Sequence, residues 1–394
     1  MNIITTTDAL QAFCSEAAHH PYVTVDTEFL RERTYFAKLC LVQLAMPGHD
    51  DSTGVVVDTL APGLSLDPLY ELFRNPDVVK VFHAARQDLE IFFVDGDVLP
   101  QPLFDTQVAA MVCGYGEQVG YETLVRKITK SGLDKSSRFT DWSRRPLSDK
   151  QLAYALADVT HLRQIYEDLD DRLTKTGRRA WVDEEMSTLM DTSSYVVEPE
   201  EAWRRVKTRS NSAVFLAIVR HLAEYRETLA QSRNVPRNRV FKDDVILELA
   251  ATKPTSLDAL QKSRLLLREA RKGEMGEGII RAVKGALAIP AKDLPTPPVQ
   301  RERRAGLEGL TDLLRVLLKA RAEEVGVAQK LVASAADLDL LASGELPPDS
   351  PLLGGWRHEV FGADAERLRA GEIALSASGD TVKIVDVAQV KGAA

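Results

Sequence analysis

The chain has 394 residues, of which 44% are apolar and 27% are charged. This balance is typical of a soluble globular protein with two or three domains, and it excludes both a disordered chain and a disulfide-stabilised miniprotein. The net charge of −8 would by itself argue against a nucleic-acid partner.

The charge is unevenly distributed along the chain. Residues 1–195 hold 19 basic against 30 acidic side chains (−11), residues 196–290 hold 18 against 12 (+6), and residues 291–394 hold 13 against 16 (−3). A very acidic segment beside a basic one suggests that the acids hold metal ions and that the bases hold a polyanion.

Targeting signals and cysteine usage point to one compartment. No apolar run approaches the roughly 18–20 residues of a membrane span, and the N-terminal residues lack the basic and apolar segments of a signal peptide. Cys14, Cys40 and Cys113 show no metal-binding or disulfide spacing and suit a reducing environment. We therefore expect a cytoplasmic protein without membrane association.

The first 195 residues combine strand-like runs with helix-like patterns. Short β-branched runs predict strands at Tyr22–Glu28, Ala37–Ala45, Gly54–Asp58 and Val78–His83. Helical periodicity follows at Asp67–Arg74, Ala85–Val94, Asp105–Cys113, Tyr121–Lys127 and Ser148–Thr174. These elements predict an α/β or α+β domain in which helices flank one mixed sheet.

From about residue 200 the strand signal disappears. Amphipathic helices are predicted at Ala202–Val206, Ser212–Ser232, Asp243–Ala251, Ser256–Leu260 and Gly276–Leu287. A proline-rich linker at Ala288–Val299 precedes a second helical segment, Arg301–Arg369, while Thr381–Val387 fits either a short strand or a frayed tail. The predicted domains are residues 1–195, 196–290 and 291–394.

Two carboxylates stand at the end of the first predicted strand. Alternation along a strand places Asp26 and Glu28 on one face. Such a pair repels itself unless positive charge lies between the two groups, and carboxylate oxygens suit Mg²⁺ or Mn²⁺. The alternative is that both side chains face solvent, and Asp-x-Glu alone favours that alternative.

The next candidate is Asp88, in a predicted helix that follows a strand. Its neighbours three and four residues away are all apolar, and a carboxylate in such surroundings is costly unless it is paired or metal-bound. His83, just before this helix, fits a core histidine better than a metal ligand.

Tyr154 and Asp158 lie four residues apart on one helix and therefore share a face. A phenol one turn from a carboxylate can orient a water molecule beside a metal ion. A Tyr–Asp hydrogen bond on the helix surface is an equally good interpretation of this pair alone.

Basic residues form two further candidate sites. Residues 126–150 hold eight Lys and Arg against three Asp, with Phe139 and Trp142 interleaved, a pattern that suits phosphates and stacked bases but also a solvated loop. The candidate substrate-binding residues are Lys135, Arg138, Trp142, Arg144 and Arg145, together with Arg237 and Arg239 in the basic segment. Ordinary surface arginines on a helix bundle remain the alternative for the last two.

Three motifs occur here in a familiar order. Val-Asp-Thr-Glu at 25–28, His-Ala-x-x-x-Asp-Leu-Glu at 83–90 and Tyr-x-x-x-Asp at 154–158 resemble the exonuclease motifs of the DEDD superfamily, tyrosine branch. Further resemblance to the ribonuclease D family lies at Phe104–Gln107, Leu133–Ser136 and Thr140–Leu147. Trp203–Leu260 resembles an HRDC domain, and Arg301–Arg369 resembles a second, more divergent one.

The resemblance implies a fold and an activity. The fold is an α/β ribonuclease H-like catalytic domain followed by two small all-α HRDC-type domains. The activity is a 3′→5′ exoribonuclease that uses two divalent cations, Mg²⁺ or Mn²⁺, and releases 5′-mononucleotides. RNA 3′ ends are the implied partner, with tRNA precursors as the usual substrate, and no obligate protein partner is expected.

The resemblance also implies a role for each motif residue. Asp26 would bridge both metals, while Glu28 and Asp158 would complete the site of the nucleophile-side metal. Asp88 would hold the leaving-group-side metal, through water, and Tyr154 would position the attacking water.

Two other functions fit the same residues. A 3′→5′ exonuclease acting on DNA would use the same carboxylates, because discrimination depends on contacts to the 2′-hydroxyl; the lack of a helicase or polymerase domain favours RNA. A non-catalytic RNA-binding adaptor would be favoured by loss of a metal carboxylate, but all four are present.

Overall fold

The computed structural model of the chain describes residues 2–134, 136–210, 212–296 and 306–388. Within these residues, buried apolar side chains form three large clusters, located in residues 4–195, 202–286 and 314–373. Tyr35 of the first part packs against the second cluster, and Trp181 packs against the third. Both helical parts therefore lie against the first part of the chain.

A six-stranded mixed sheet forms the centre of the first part. Its strands are β1 (Asn2–Ile4), β2 (Tyr22–Leu30), β3 (Lys38–Ala45), β4 (Gly54–Asp58), β5 (Val79–Phe82) and β6 (Leu103–Asp105), in the order β1-β4-β3-β2-β5-β6. Only β3 runs antiparallel to its neighbours. The predicted mixed sheet is confirmed, although β1 and β6, of three residues each, are too short to show a pattern in the sequence.

Helices flank this sheet. They are α1 (Thr7–Ala17), α2 (Asp67–Arg74), α3 (Arg86–Gly96), α4 (Thr106–Val112), α5 (Tyr121–Leu124), α6 (Asp149–Thr176) and α7 (Arg179–Leu189). The 28-residue α6 begins at a capping box between Ser148 and Gln151 and ends at Gly177, which has a φ of 68°. It packs against β2, β3 and β4, so its inward face lies over the strand that carries Asp26 and Glu28.

The second part is helical over its described residues. A 3₁₀ segment (Pro199–Arg205) precedes α8 (Ala213–Ser232), α9 (Arg237–Val240), α10 (Asp243–Thr252), α11 (Leu257–Leu260) and α12 (Gly273–Leu287). The long α8 is the central helix: α10, α12 and the 3₁₀ segment all pack against it.

The third part contains α13 (Glu308–Val325), α14 (Gln329–Val332), α15 (Ala335–Ser343), α16 (Gly355–Arg357), α17 (Ala363–Ala370), β7 (Ile373–Ser378) and β8 (Thr381–Asp386). The antiparallel hairpin of β7 and β8 corrects the expectation that this part is all-helical. Ser378 pairs with Thr381 across Gly379 and Asp380, and Gly379 has a φ of 60°. This two-residue Gly-Asp turn is a hairpin signal that reading by helical period overlooks. The predicted start at Arg301 and residues 297–299 of the linker lie outside the described residues.

Candidate active site

The site is built where α6 crosses β2. Thr24, Asp26 and Glu28 alternate along β2 on one face of the sheet. The Thr24 hydroxyl donates to the carbonyl oxygen of Val159 at 2.9 Å, which ties α6 to this face. The next residue back along α6, Asp158, is thereby brought to the two strand carboxylates.

Three carboxylates converge at this crossing. Asp26, Glu28 and Asp158 each offer an oxygen, and these oxygens lie within 4.8 Å of one another. The predicted pairing of Tyr154 with Asp158 is present, because the Tyr154 hydroxyl lies close enough to lower the pKa of that carboxyl group. Residues that are 130 positions apart in sequence thus form one oxygen-rich site.

Asp88 lies beside this group rather than in it. It is buried, in the first turn of α3, and its carboxylate accepts a hydrogen bond from the Thr27 hydroxyl. Burial raises the pKa of Asp88, and the charge of Asp26 raises it further, so the two carboxylates interact. Asp88 is nevertheless not among the three residues whose oxygens lie within 4.8 Å. The structure therefore brings three of the four predicted carboxylates into direct proximity and places the fourth next to them.

Asp105 shapes the turn that presents Asp88. Its carboxylate caps α4 by accepting a hydrogen bond from the backbone N–H of Gln107 at 2.7 Å. It also accepts hydrogen bonds from the backbone N–H groups of Ala84 at 3.0 Å and Ala85 at 2.8 Å. Ala84 has a φ of 59°, a costly conformation for a residue with a side chain, and these hydrogen bonds hold it just before α3.

When no cation is bound, each of these carboxyl groups has a pKa above its ordinary value. Burial raises the pKa of Asp26, and the charge of Asp158 raises it further. Burial followed by repulsion from Asp26 and Asp158 raises the pKa of Glu28 to about 10. Burial raises the pKa of Asp158 to about 7, against a lowering by the Tyr154 hydroxyl and Arg138. Only added positive charge can keep such a group ionised near neutral pH.

A cleft of about 250 Å³ opens onto these groups. Arg138 lines it and lowers the pKa of both Glu28 and Asp158 by its positive charge. The Arg138 guanidinium lies 5.2 Å from the ring centroid of Phe139, whose side chain is 91% exposed. A cation and an open aromatic face therefore stand together at the edge of the cleft.

His83 and Tyr121 also line the cleft. His83 Nδ1 lies 3.0 Å from the Thr106 hydroxyl, and burial lowers the pKa of the ring, as expected for a core histidine. The Tyr121 hydroxyl donates to the backbone carbonyl of Asp158 at 2.7 Å. Local pattern gave no indication of Tyr121 as a site residue, because only the packing of α5 against α6 brings it there.

Trp142 does not offer a face to a ligand. It is 2% exposed and packs with Cys40, Leu41 and Leu152, so the prediction that it stacks on a base is wrong. Its ring centroid lies 6.1 Å from that of Tyr154, and Tyr154 packs against the same buried cluster. Phe139, from the same stretch, is the aromatic residue that is open to solvent.

The Arg145 side chain is likewise held by hydrogen bonds within the protein. It forms a bidentate pair with Asp58 at 2.7 and 2.6 Å and donates to the carbonyl oxygens of Cys40, Trp142 and Arg144 at 2.7–3.0 Å. These bonds use all five guanidinium N–H groups. The predicted substrate contact of Arg145 is therefore wrong, and its role is to anchor the basic stretch at residues 126–150 to β4.

The remaining predicted contacts differ in their surroundings. The side chain of Arg144 is 85% exposed, with one pair to Asp141 at 3.4 Å, and Arg239 is exposed. Arg237 instead pairs with the fully buried Glu227 at 2.5 Å, so its charge serves the domain contact rather than an open surface. Lys135 lies outside the described residues.

Comparison with known proteins gives consistent relatives over the whole chain. The profile of a 3′-5′ exonuclease family matches residues 1–174, and the HRDC domain profile matches residues 215–283. A ribonuclease D from a Jannaschia species is 64% identical over 384 residues, covering 98% of this chain and 99% of that protein. The ribonuclease D of Granulibacter bethesdensis is 49% identical over 384 residues, with coverage of 97% and 96%.

A solved structure shares the full architecture. The crystal structure of Escherichia coli RNase D, described as an exoribonuclease involved in structured RNA processing, superposes with a TM-score of 0.81 at 30% identity and covers 94% of this chain and 99% of its own. A Bifidobacterium adolescentis protein shares the fold with a TM-score of 0.68 at 23% identity. Among the described residues, no helix has the length and apolar character needed to cross a membrane.

Proposed function

Because this chain belongs to the ribonuclease D family and is a 3′→5′ exoribonuclease, we propose that its acidic site holds two divalent cations and that its substrates are RNA 3′ ends of tRNA precursors. The convergence of the Asp26, Glu28 and Asp158 oxygens within 4.8 Å carries the proposal. The E. coli relative described as acting in structured RNA processing supports the choice of substrate.

The residues fit a pair of hard cations. The exonuclease family depends on divalent metal, and an all-carboxylate donor set suits Mg²⁺ or Mn²⁺. Burial and mutual repulsion raise the pKa values of these carboxylates, which an ion would reverse. In this assignment Asp26, Glu28 and Asp158 hold one ion. Asp26 and Asp88, whose charges interact, hold the second.

When bound, the cations supply the charge that lowers the pKa of the attacking water and neutralises the departing 3′ oxygen. Tyr154 holds that water by its hydroxyl, which lies beside the Asp158 carboxylate. Thr27 orients the carboxylate of Asp88 through a hydrogen bond. These contacts position the reacting groups before the substrate binds.

The 3′ end of the RNA is held by the edge of the cleft. Arg138 neutralises a phosphate near the carboxylates, and Phe139 stacks on a base, since both side chains are exposed beside the cleft. Lys135, Arg144 and Arg239 contribute sequence-independent attraction to the RNA backbone.

The proposal also includes the domain boundaries. Residues 1–195 are the exonuclease domain, residues 196–290 the HRDC domain and residues 291–394 a second HRDC-like domain that contains the β7–β8 hairpin. The cytoplasmic location stays a prediction.

The test uses one 5′-labelled RNA and the matching DNA, each incubated with Mg²⁺ or with chelator. The wild type is compared with Asp26→Asn and with Asp171→Asn, a matched control because Asp171 is exposed on α6 and pairs with Lys175. A ladder that shortens from the 3′ end of the RNA only, and that chelator and Asp26→Asn abolish, supports the proposal.

Other outcomes point to the alternatives. Equal shortening of DNA would make the protein a general 3′ exonuclease. Binding without shortening would favour an RNA-binding adaptor and would contradict the metal assignment. A precursor tRNA with a 3′ extension, compared with an unstructured RNA of equal length, tests the substrate: a lower rate on the precursor would overturn it.

A further inference from the structure

A pocket of about 470 Å³ lies between the loop after β2 and the first helical domain. We call it the arginine pocket; its polar lining includes Arg31, Thr34, Arg205, Arg226, Arg237 and Asn238. The side-chain oxygen of Asn234 accepts the backbone N–H groups of Tyr35 and Phe36, both at 3.0 Å. These bonds fix the loop against α8 and α9, so the pocket is built jointly by the two domains.

Guanidinium groups outnumber carboxylates around this pocket. Three of its four arginines each have one acidic partner, in the pairs Arg31–Glu90, Arg226–Asp243 and Arg237–Glu227. The fourth, Arg205, is exposed and has no ion pair with any described residue. The paired arginines use at most three of the five N–H groups that a guanidinium carries. The pocket therefore retains excess positive charge and unused donors.

Two buried polar atoms of the pocket have no partner among the described residues. Arg226 is 3% exposed, and its Nε is buried without an acceptor. The Thr34 hydroxyl oxygen is likewise buried and unpartnered. Buried polar groups in folded proteins are almost always hydrogen-bonded, so each exception needs an explanation. Both groups can donate, and a ligand rich in acceptor oxygens and negative charge would satisfy both.

The pocket is connected to the catalytic carboxylates through two elements. Arg31 is the first residue after β2 and follows Glu28 by three residues, which an extended chain spans in at most about 10 Å. Glu90, which accepts a hydrogen bond from the Arg31 guanidinium at 2.8 Å, lies two residues after Asp88 on α3. A chain of phosphates that ends at the carboxylates is therefore close enough to place an upstream phosphate in the pocket.

We propose that the arginine pocket binds a backbone phosphate of the RNA strand, on the 5′ side of the scissile bond. This proposal rests on the exoribonuclease function argued above. The phosphate oxygens accept from the Arg226 Nε, the Thr34 hydroxyl and the free Arg205 guanidinium. Because only the backbone is recognised, the contact is independent of sequence and requires a substrate longer than a dinucleotide.

The test compares kcat/KM for a long single-stranded RNA with kcat/KM for a dinucleotide that lacks a 5′-phosphate. The variants are Arg205→Gln, which changes an exposed side chain and leaves the core intact, and the Arg205→Gln/Thr34→Val double variant. The ratio of the two kcat/KM values falls about tenfold in the double variant, since charge-assisted hydrogen bonds are lost. The salt dependence of long-RNA binding decreases by about one phosphate contact.

Arg204→Gln is the matched control, because it removes the same charge from the adjacent residue, which pairs with Glu201 outside the pocket. An unchanged ratio in the pocket variants, or an equal fall in the control, overturns the proposal. Thermal stabilisation by inorganic phosphate that depends on Arg205, with no change in the RNA ratio, would identify a free-anion site and also overturn it.

One further measurement separates this proposal from the proposed function. The affinity for the long RNA is measured by fluorescence anisotropy in chelator, where no cleavage is required. If the wild type cleaves neither substrate but binds RNA more tightly than the double variant, the exoribonuclease assignment fails, whereas the assignment of the pocket as a phosphate site is supported. If cleavage proceeds and the affinities are equal, the pocket assignment alone fails.

Discussion

Asp158 shows how much a single site residue depends on neighbours from other elements. On α6 alone it would be an ordinary helix carboxylate with an ordinary pKa. Burial raises that pKa to about 7, while the Tyr154 hydroxyl and Arg138 act in the opposite direction. Its proximity to Asp26 and Glu28 makes the metal-free site electrostatically strained, which yields two predictions about stability.

The first prediction concerns Asp158→Asn. In chelator we expect the free energy of unfolding to rise by about 1–3 kcal/mol, because one of three crowded carboxylates is removed. We expect kcat on RNA to fall by about 10²–10³-fold, measured beside urea unfolding of the same protein. Asp171→Asn, on the exposed side of the same helix, should change stability by less than about 0.5 kcal/mol. Destabilisation by Asp158→Asn in chelator would contradict the prediction.

The second prediction concerns pH. The pKa of Glu28 is raised from 4.5 to about 10, so between these values the folded protein holds a proton that the unfolded chain has released. The metal-free protein therefore loses stability as pH rises through this range, and Mg²⁺ restores it by binding only the folded state. Urea unfolding at several pH values, with Mg²⁺ or chelator, measures both effects.

The comparison with Glu28→Gln isolates this contribution. Groups remote from the site titrate alike in both proteins and cancel in the difference. One of them is Lys80, whose pKa burial lowers to about 7 and whose effect on stability has the opposite sign. In chelator the stability of wild type minus that of the variant should decrease as pH rises. A flat difference would show that Glu28 is ionised without a metal.

At the scale of elements, the catalytic geometry depends on how loops are fastened to regular structure. The basic stretch before α6 has little secondary structure, yet Arg138 has a definite place at the cleft. Arg145 fastens this stretch to Asp58 at the end of β4 through a pair whose side chains are 27% and 13% exposed. Trp142 packs beneath it among the residues of β3 and α6.

The third prediction tests that anchor. Arg145→Gln leaves the Asp58 carboxylate and three carbonyl groups without their donor, and should lower the free energy of unfolding by about 2–4 kcal/mol. Arg144→Gln removes the same charge one residue earlier from an 85% exposed side chain and should cost less than about 0.5 kcal/mol. Equal effects of the two variants in chemical denaturation would refute the anchoring role.

At the scale of the whole molecule, the exonuclease domain makes contacts with both helical parts. Tyr35 bonds to Glu227 and Arg237 of the HRDC domain. On the other side, the rings of Trp181 and Trp356 stack at 4.5 Å with an interplanar angle of 12°. Arg357, next to this stack, pairs with Glu184 and Glu185 of α7. These buried contacts hold the third part against the exonuclease domain.

The fourth prediction concerns the docking of the third part. Trp356→Ala removes a 6% exposed ring from this contact and should cost about 3–5 kcal/mol. Backbone amides of α7 and α13 should then exchange hydrogen faster, because the two parts separate more often. Leu313→Ala, on the exposed side of α13, is the control. Unchanged exchange in α7 would mean that the stack does not hold the two parts together.

The mixed sheet, the long helix with Tyr154 and Asp158, and the order of the acidic motifs could all be predicted from the amino-acid pattern. These features follow from short-range periodicity: alternation placed Asp26 and Glu28 together, and the helical repeat placed Tyr154 by Asp158. Asp88 was recognisable because a carboxylate among apolar neighbours requires a partner, which is the Thr27 hydroxyl.

Which of the basic and aromatic side chains are free to contact a substrate depends instead on tertiary packing. Arg145 and Arg144 are adjacent and chemically identical. Arg145 nevertheless donates all its N–H groups to Asp58 and nearby carbonyls, while Arg144 faces solvent. Trp142 is buried where Phe139, three residues earlier, is 91% exposed. Availability depends on what packs against a side chain, and those neighbours come from distant segments whose positions no local pattern encodes.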